Sequence, residues 1–85
     1  MNNQFTVYIL FSDTHDRYYI GQTNDIEKRL VRHNRGYVRS TKFYKPWRLV
    51  YAENFETRSE SVSRETQLKG WKSKLKIKEL VDTSR

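Results

Sequence analysis

Five side chains in this 85-residue sequence have types and spacings suited to chemistry on a charged substrate: Tyr8, Tyr19, Arg29, His33 and Glu65. A buried tyrosine usually just packs, with its hydroxyl on a convenient carbonyl. It becomes a proton-transfer group only where a cation or metal-bound water lowers its effective pKa. Arg29 and His33 stand four residues apart in a segment whose apolar face is marked by Ile26 and Leu30. At about 100° per residue they fall on the edge of that face, one turn above the other. A guanidinium beside an imidazole next to the core makes an anion site. The plainer account is an arginine that snorkels and a histidine that caps its helix end, and the helix alone favours it. Val62, Glu65 and Leu68 recur at i, i+3, i+6, so a carboxylate lies between two apolar neighbours. That position is costly unless a cation neutralises it. Arg58 or Lys69 could form the salt bridge. A hard divalent ion such as Mg²⁺, held by one or two carboxylates with water and substrate phosphate, fits equally well.

These residues need elements to position them. Phe5–Ser12 (FTVYILFS) is apolar on both alternating faces, which predicts a strand covered on both sides. Asp13 to Asp16 supply turn chemistry, and Arg17–Thr23 (RYYIGQT) reads as the second strand of an antiparallel hairpin. Gly21 within that strand points to a bulge or to the close approach of another group. Asn24 can cap a helix with Glu27 completing a capping box; the helix runs to about Asn34, and Gly36 is its left-handed stop. Residues 37–46 form a basic, aromatic loop, and 47–55 (WRLVYAENF) a third strand. Thr57 and Glu60 offer a second capping box for a helix over 58–69, which Gly70 breaks. Ser73 caps a last helix to about Asp82 that buries Ile77, Leu80 and Val81. The expected fold is α+β in the order ββ-α-β-α-α, a small three-stranded antiparallel sheet flanked by helices.

Composition bounds the partners. Seventeen Lys and Arg against ten Asp and Glu give a net charge of +7 and a pI near 9.9. So one-sided a balance on a small single domain exceeds what solubility requires, and a polyanion is the natural partner. The absence of cysteine excludes disulfides, thiolate metal sites and thiol nucleophiles. The N-terminal apolar run lacks a basic flank and is short for a signal peptide, and no stretch approaches a membrane span, so a cytoplasmic location is expected.

Taken together, the residues resemble the GIY-YIG nuclease family. Thr6-Val7-Tyr8 stands where the family's first half-motif would be, and Tyr19-Ile20-Gly21 keeps the second intact. Arg29 follows in Lys28-Arg29-Leu30, His33 one turn on, and Glu65 downstream in Arg64-Glu65-Thr66-Gln67-Leu68-Lys69. The resemblance extends from about Thr6 to Val81. It is nearest to the small single-domain YhbQ-like group, through His33-Asn34 and Trp47-Arg48-Leu49-Val50-Tyr51. It implies a metal-dependent phosphodiesterase acting on DNA. In that reading Glu65 anchors one Mg²⁺ or Mn²⁺, and Tyr8 activates the attacking water with help from Tyr19 or His33. Arg29 neutralises charge on the pentavalent phosphorus. Two departures stand out: Thr6 replaces the first glycine, and the closing helix lacks the asparagine some members carry, leaving Lys72 and Lys74 to serve the phosphate.

Contact with DNA is expected from Arg39, Thr41 and Lys42, with Tyr37, Phe43 and Tyr44 interleaved, and from Lys69, Lys72, Lys74 and Lys76. Trp47 and Trp71 read as core. No base-reading module is present, so the shape of the nucleic acid would decide selectivity, in repair or recombination. Family members often carry extra domains that choose the substrate. A protein partner, or weak dimerisation of an otherwise monomeric chain, would supply that choice here. The alternative is a module that kept the fold and binds nucleic acid without turnover.

Overall fold

Alternation along one strand decides the architecture. In the computed structural model, which describes residues 4–84, strand β1 (Phe5–Ser12) buries side chains on both faces. Residues 1–3 of the N-terminal segment read for targeting lie outside the described residues. Val7 and Ile9 point one way, Tyr8 and Leu10 the other, and all four are buried. Strands β2 (Arg17–Thr23) and β3 (Arg48–Phe55) flank β1 in the antiparallel order β2-β1-β3. The β1–β3 register slips between Ile9 and Leu10, which face Tyr51 and Leu49 and leave Val50 as the extra residue. The bulge therefore lies in β3, and Gly21 serves the second purpose its position allowed.

Each face of the sheet has its own helical cover. Helix α1 (Ile26–Asn34) lies with Tyr8, Leu10 and Trp47 through Ile26 and Leu30. Helices α2 (Arg58–Gly70) and α3 (Lys74–Thr83) cover Val7 and Ile9 through Leu68, Ile77 and Val81, with Leu80 partly buried beside them. The element order is the expected ββ-α-β-α-α, with a short 3₁₀ turn at Lys42–Tyr44.

Local chemistry explains the element ends, with three corrections. Asp25, not Asn24, caps α1: its carboxylate accepts from the Lys28 N–H at 3.1 Å. The Thr23 hydroxyl accepts from the Asp25 N–H at 3.1 Å, which holds the approach to the helix one residue longer than expected. Gly36, at φ 78°, ends α1 as expected, with Tyr37 N–H on the Arg32 carbonyl and Gly36 N–H on that of His33. The Thr57–Glu60 capping box of α2 is complete. Gly70, however, stays inside α2, and the chain turns at Lys72, whose φ is 49°. The inward stripe of α2 also differs: Ser61 and Leu68 are buried, whereas Val62 is 41% exposed. Glu65 thus lies one turn from a small polar residue, at the margin of the core rather than between two apolar neighbours.

Candidate active site

The central strand carries the first functional side chain. Tyr8 leaves β1 toward α1, and its ring crosses the backbone of its paired residue on β2, Gly21. A Cβ at Gly21 would come 2.5 Å from the Tyr8 hydroxyl oxygen, 2.6 Å from Cζ and 3.1 Å from Tyr19 Cε2. No side chain fits there, so this glycine is the floor on which the phenol lies. Tyr19 lines the same space, its ring centroid 6.3 Å from that of Tyr8 and 4.9 Å from the His33 ring.

His33, from the last turn of α1, does not cap its helix into solvent; it is fully buried. Its Nε2 lies 3.0 Å from the Tyr8 hydroxyl and its Nδ1 2.8 Å from Thr41 Oγ1. The tautomer follows from Thr41, whose hydroxyl donates to the Val38 carbonyl at 3.3 Å. With that one proton committed, Thr41 Oγ1 can only accept from Nδ1–H, and Nε2 is left bare to accept from Tyr8. The result is a directed chain from Tyr8 through His33 and Thr41 to the backbone. Asn34 braces it: its amide donates to the Trp47 carbonyl at 2.9 Å, and its oxygen accepts from the Trp47 N–H at 2.6 Å. The end of α1 is thereby locked to the start of β3.

Electrostatics agree with that proton placement. Burial pushes the Tyr8 hydroxyl well above the ordinary phenol range, and the nearby Tyr19 and Glu65 add to the rise while Arg29 opposes it. Tyr8 is therefore a neutral donor at pH 7. Burial, with the positive charges of Arg29 and Arg32, lowers His33 to about 4, so the imidazole is neutral as well. Arg29 is half-buried, and no carboxylate pairs with it among the described residues. Its charge acts on both Tyr8 and His33 and is free to meet an anion.

Glu65 is carried by α2. Its side chain is 19% exposed and accepts from Lys69 Nζ at 3.0 Å, the salt bridge of the plainer reading. Its charge is also close enough to act on Tyr8. Among the described residues no cluster of three His, Cys, Asp or Glu could hold a metal ion. The Glu65 carboxylate with the Tyr8 and Tyr19 phenols makes a donor set too sparse for a caged ion such as Ca²⁺ or Zn²⁺. It suits Mg²⁺ or Mn²⁺, which keep several waters and take the remaining ligands from a substrate phosphate.

The outlying residues divide. Arg39, Lys42, Lys69, Lys72 and Lys74 are exposed, as a DNA-contacting role requires. Thr41 is not: it is 1% exposed, its hydroxyl spent on His33 and Val38. Its expected DNA contact is corrected to a place behind the histidine, which no sequence pattern marks. Trp47 is buried with its indole N–H on the Thr41 carbonyl at 3.0 Å, while Trp71 is only partly buried beside the α2–α3 core.

A sheet that seats a tyrosine against a glycine of the neighbouring strand, with an arginine and a histidine from the next helix and a glutamate from a later one, defines a class. The model of the GIY-YIG catalytic domain matches residues 4–78, and the chain belongs to that nuclease family. Within it, the similar proteins are small. A UPF0213 protein of Staphylococcus saprophyticus is 43% identical over 61 residues, covering 71% of this chain and 74% of its own. One from Staphylococcus aureus is 34% identical over 79 residues, covering 92% and 94%. The solution structure of a UPF0213 protein from Bacillus halodurans superposes with a TM-score of 0.60 at 30% identity, covering 94% of this chain and 84% of that one.

Proposed function

We propose that this chain is a Mg²⁺- or Mn²⁺-dependent endonuclease that hydrolyses phosphodiester bonds in DNA, selecting its substrate by structure. The observation that carries this reading is the directed Tyr8–His33–Thr41 chain beside an unpaired Arg29, with the Glu65 carboxylate within electrostatic range. A water held against Tyr8 gives its proton to the phenol oxygen while the phenol proton moves to His33 Nε2. The water oxygen bonds to phosphorus, the bond to the leaving oxygen breaks, and solvent protonates that oxygen. Arg29 neutralises the charge gathering on the equatorial phosphate oxygens. It also couples binding to proton transfer. Burial sets the low basicity of His33 and the Arg29 charge lowers it further; once Arg29 pairs with a phosphate, that added repulsion is quenched and the imidazole becomes a better acceptor. Glu65 would hold the ion, which when bound supplies positive charge to the leaving oxygen.

Arg39 and Lys42 with Tyr37 and Phe43, which are 63% and 75% exposed, are suited to grip the duplex beside the site. Lys69, Lys72 and Lys74 would meet nucleic acid on the α2 side, outside the grip on the duplex. A role in repair or recombination, with a protein partner or a weak dimer refining the choice of substrate, completes the proposal. The second reading, binding without turnover, is favoured by one observation: Lys69 already neutralises Glu65 without any metal. Both readings meet in one experiment. Labelled single-stranded, duplex, flap and four-way DNAs are incubated with Mg²⁺, Mn²⁺ or EDTA, with the parent protein and with Glu65→Ala. Metal-dependent cutting by the parent alone is the expected result. Cutting that survives Glu65→Ala overturns the site, and salt-sensitive binding with no cutting on any substrate favours the binding module.

A further inference from the structure

On the α2–α3 side of the sheet, away from Tyr8 and His33, a groove of about 410 Å³ opens between the outer strand β2 and the turn joining α2 to α3. Its floor is apolar and aromatic: Leu68 and Ile77 are buried there, with Tyr18 and Ile20 half-buried beside them. Its rim is cationic, with Lys69, Lys72 and Lys74 all exposed, while the Arg17 guanidinium turns away onto the Tyr44 ring at 4.3 Å. The one acidic lining residue, Asp16 at the hairpin tip, accepts from Lys74 Nζ at 2.6 Å. Lys69 belongs both to this rim and to the Glu65 carboxylate one turn earlier, so the groove begins where the proposed metal-binding residue ends.

We propose that this groove holds an unpaired nucleotide of the strand that leaves the cleavage site, and so makes single-stranded nucleic acid beside a duplex the preferred substrate. The inference rests on the nuclease reading for the position of the cut. Three features converge on it. The volume falls within the range of about 300–1,000 Å³ usual for small-ligand sites. An aromatic and aliphatic floor accepts any base by its π-face, without reading sequence. Three lysines at the rim match the phosphates on either side of such a base. A duplex cannot use the floor, because its bases are stacked on one another. Lys72 adds a fourth observation. At φ 49° it occupies backbone space where glycine or asparagine would be easier, yet its side chain stands on the rim of the groove.

That conformation also yields a clean variant. Lys72→Gly removes the charge and relaxes the backbone, and Lys74→Gln removes a second cation through an exposed ion pair. Both are placed in full-length Glu65→Gln protein, so that no turnover is needed. The probe is a single-stranded DNA hexamer containing 2-aminopurine, compared with a duplex of the same sequence. The parent is expected to quench the 2-aminopurine emission on binding the single strand. The double variant should bind the single strand about tenfold more weakly. Its salt slope should be shallower by roughly 1.4, at about 0.7 per lost phosphate contact. Its duplex binding should stay within about twofold. Tyr18→Leu should abolish the quenching while keeping the salt slope. An equal loss on single strand and duplex, no quenching in the parent, or the same losses from Lys28→Gln with Lys78→Gln outside the groove would overturn the proposal. The nuclease reading fails separately, in the cleavage panel. A protein that cuts in a Glu65-dependent way but shows no single-strand preference keeps its active site and loses this groove.

Discussion

At the scale of single residues, the outcome turns on where one hydroxyl proton goes. Thr41 donates to the Val38 carbonyl, which makes His33 a donor at Nδ1 and an acceptor at Nε2. Thr41→Val removes the acceptor and leaves the buried Nδ1–H unsatisfied, at a cost of about 1–3 kcal/mol. Cleavage should fall by at least tenfold, through turnover rather than affinity, since nothing that grips DNA has changed. Steady-state kinetics beside a urea titration checks both parts, and a loss confined to KM would remove Thr41 from the proton chain. His33 also predicts a pH dependence. Its folded pKa of about 4 lies below the ordinary 6.5, so between those values the unfolded chain takes up a proton that the folded one refuses. Its contribution to stability is complete above pH 6.5, declines as the pH falls and is exhausted below about 4. On the order of 3 kcal/mol is at stake, at about 1.36 kcal/mol per unit. Urea unfolding of the parent and of His33→Gln at pH 7 and 4.5 should show a steeper loss in the parent, and parallel losses would refute the assignment.

At the scale of elements, the site is a product of pairing and capping. Antiparallel register sets Gly21 opposite Tyr8, and the absence of a Cβ lets the phenol cross β2. Gly21→Ala should therefore act at a distance of one strand. Methyl overpacking costs about 1–3 kcal/mol, and the displaced ring gives up its bond to His33. Chemical denaturation should show the stability loss, and cleavage should fall further than that loss explains; a fully active, equally stable variant would mean that the ring has somewhere else to go. Helix α1 holds Arg29 and His33 in place because both of its ends are tied, one by the Asp25 cap and the other by the paired bonds of Asn34 to Trp47. On the opposite face, Glu53 accepts from Tyr51 at 2.5 Å and from Arg64 at 3.2 Å, linking β3 to the helix that carries Glu65.

At the scale of the whole molecule, a net charge of +7 makes binding to DNA an ionic-strength experiment. Each phosphate neutralised on a duplex contributes about −0.9 to the slope of log affinity against log salt. Removing Arg39 and Lys42 together from Glu65→Gln protein should make the duplex slope shallower by roughly 1.8. An unchanged slope would take the 37–46 loop off the duplex. Among the described residues no helix is long and apolar enough to cross a membrane.

Much of this protein was legible from the order of its residues. Alternation in Phe5–Ser12 marked a strand buried twice over, because side chains on a strand can point only two ways. The spacing of Tyr8, Tyr19, Arg29, His33 and Glu65 pointed to the family before any coordinate did, since a strand, a hairpin partner and two helices carry them in a set order. Glycine at 21 left a bulge and a close approach both open, and only the structure shows the Tyr8 ring lying against it. Other features lay beyond local pattern. Thr41 sits in a basic loop and reads as a surface residue; only the folding of 37–46 back over α1 puts its hydroxyl on His33. The end of α2 depends on Lys72 adopting a left-handed backbone that Gly70 seemed better suited to provide. Val62 stays outside because the stripe that α2 turns inward is Ser61, Glu65 and Leu68, and which of two neighbouring stripes faces the sheet is chosen by tertiary contact. The basic groove gathers residues 16–20 and 68–77, which are neighbours only once α2 packs beside β2 and the chain turns into α3. Residue identity and local periodicity determined the elements and the family, because each is decided within a few residues along the chain; the partners of the titrating groups were decided by contacts across tens of residues, which only tertiary packing creates.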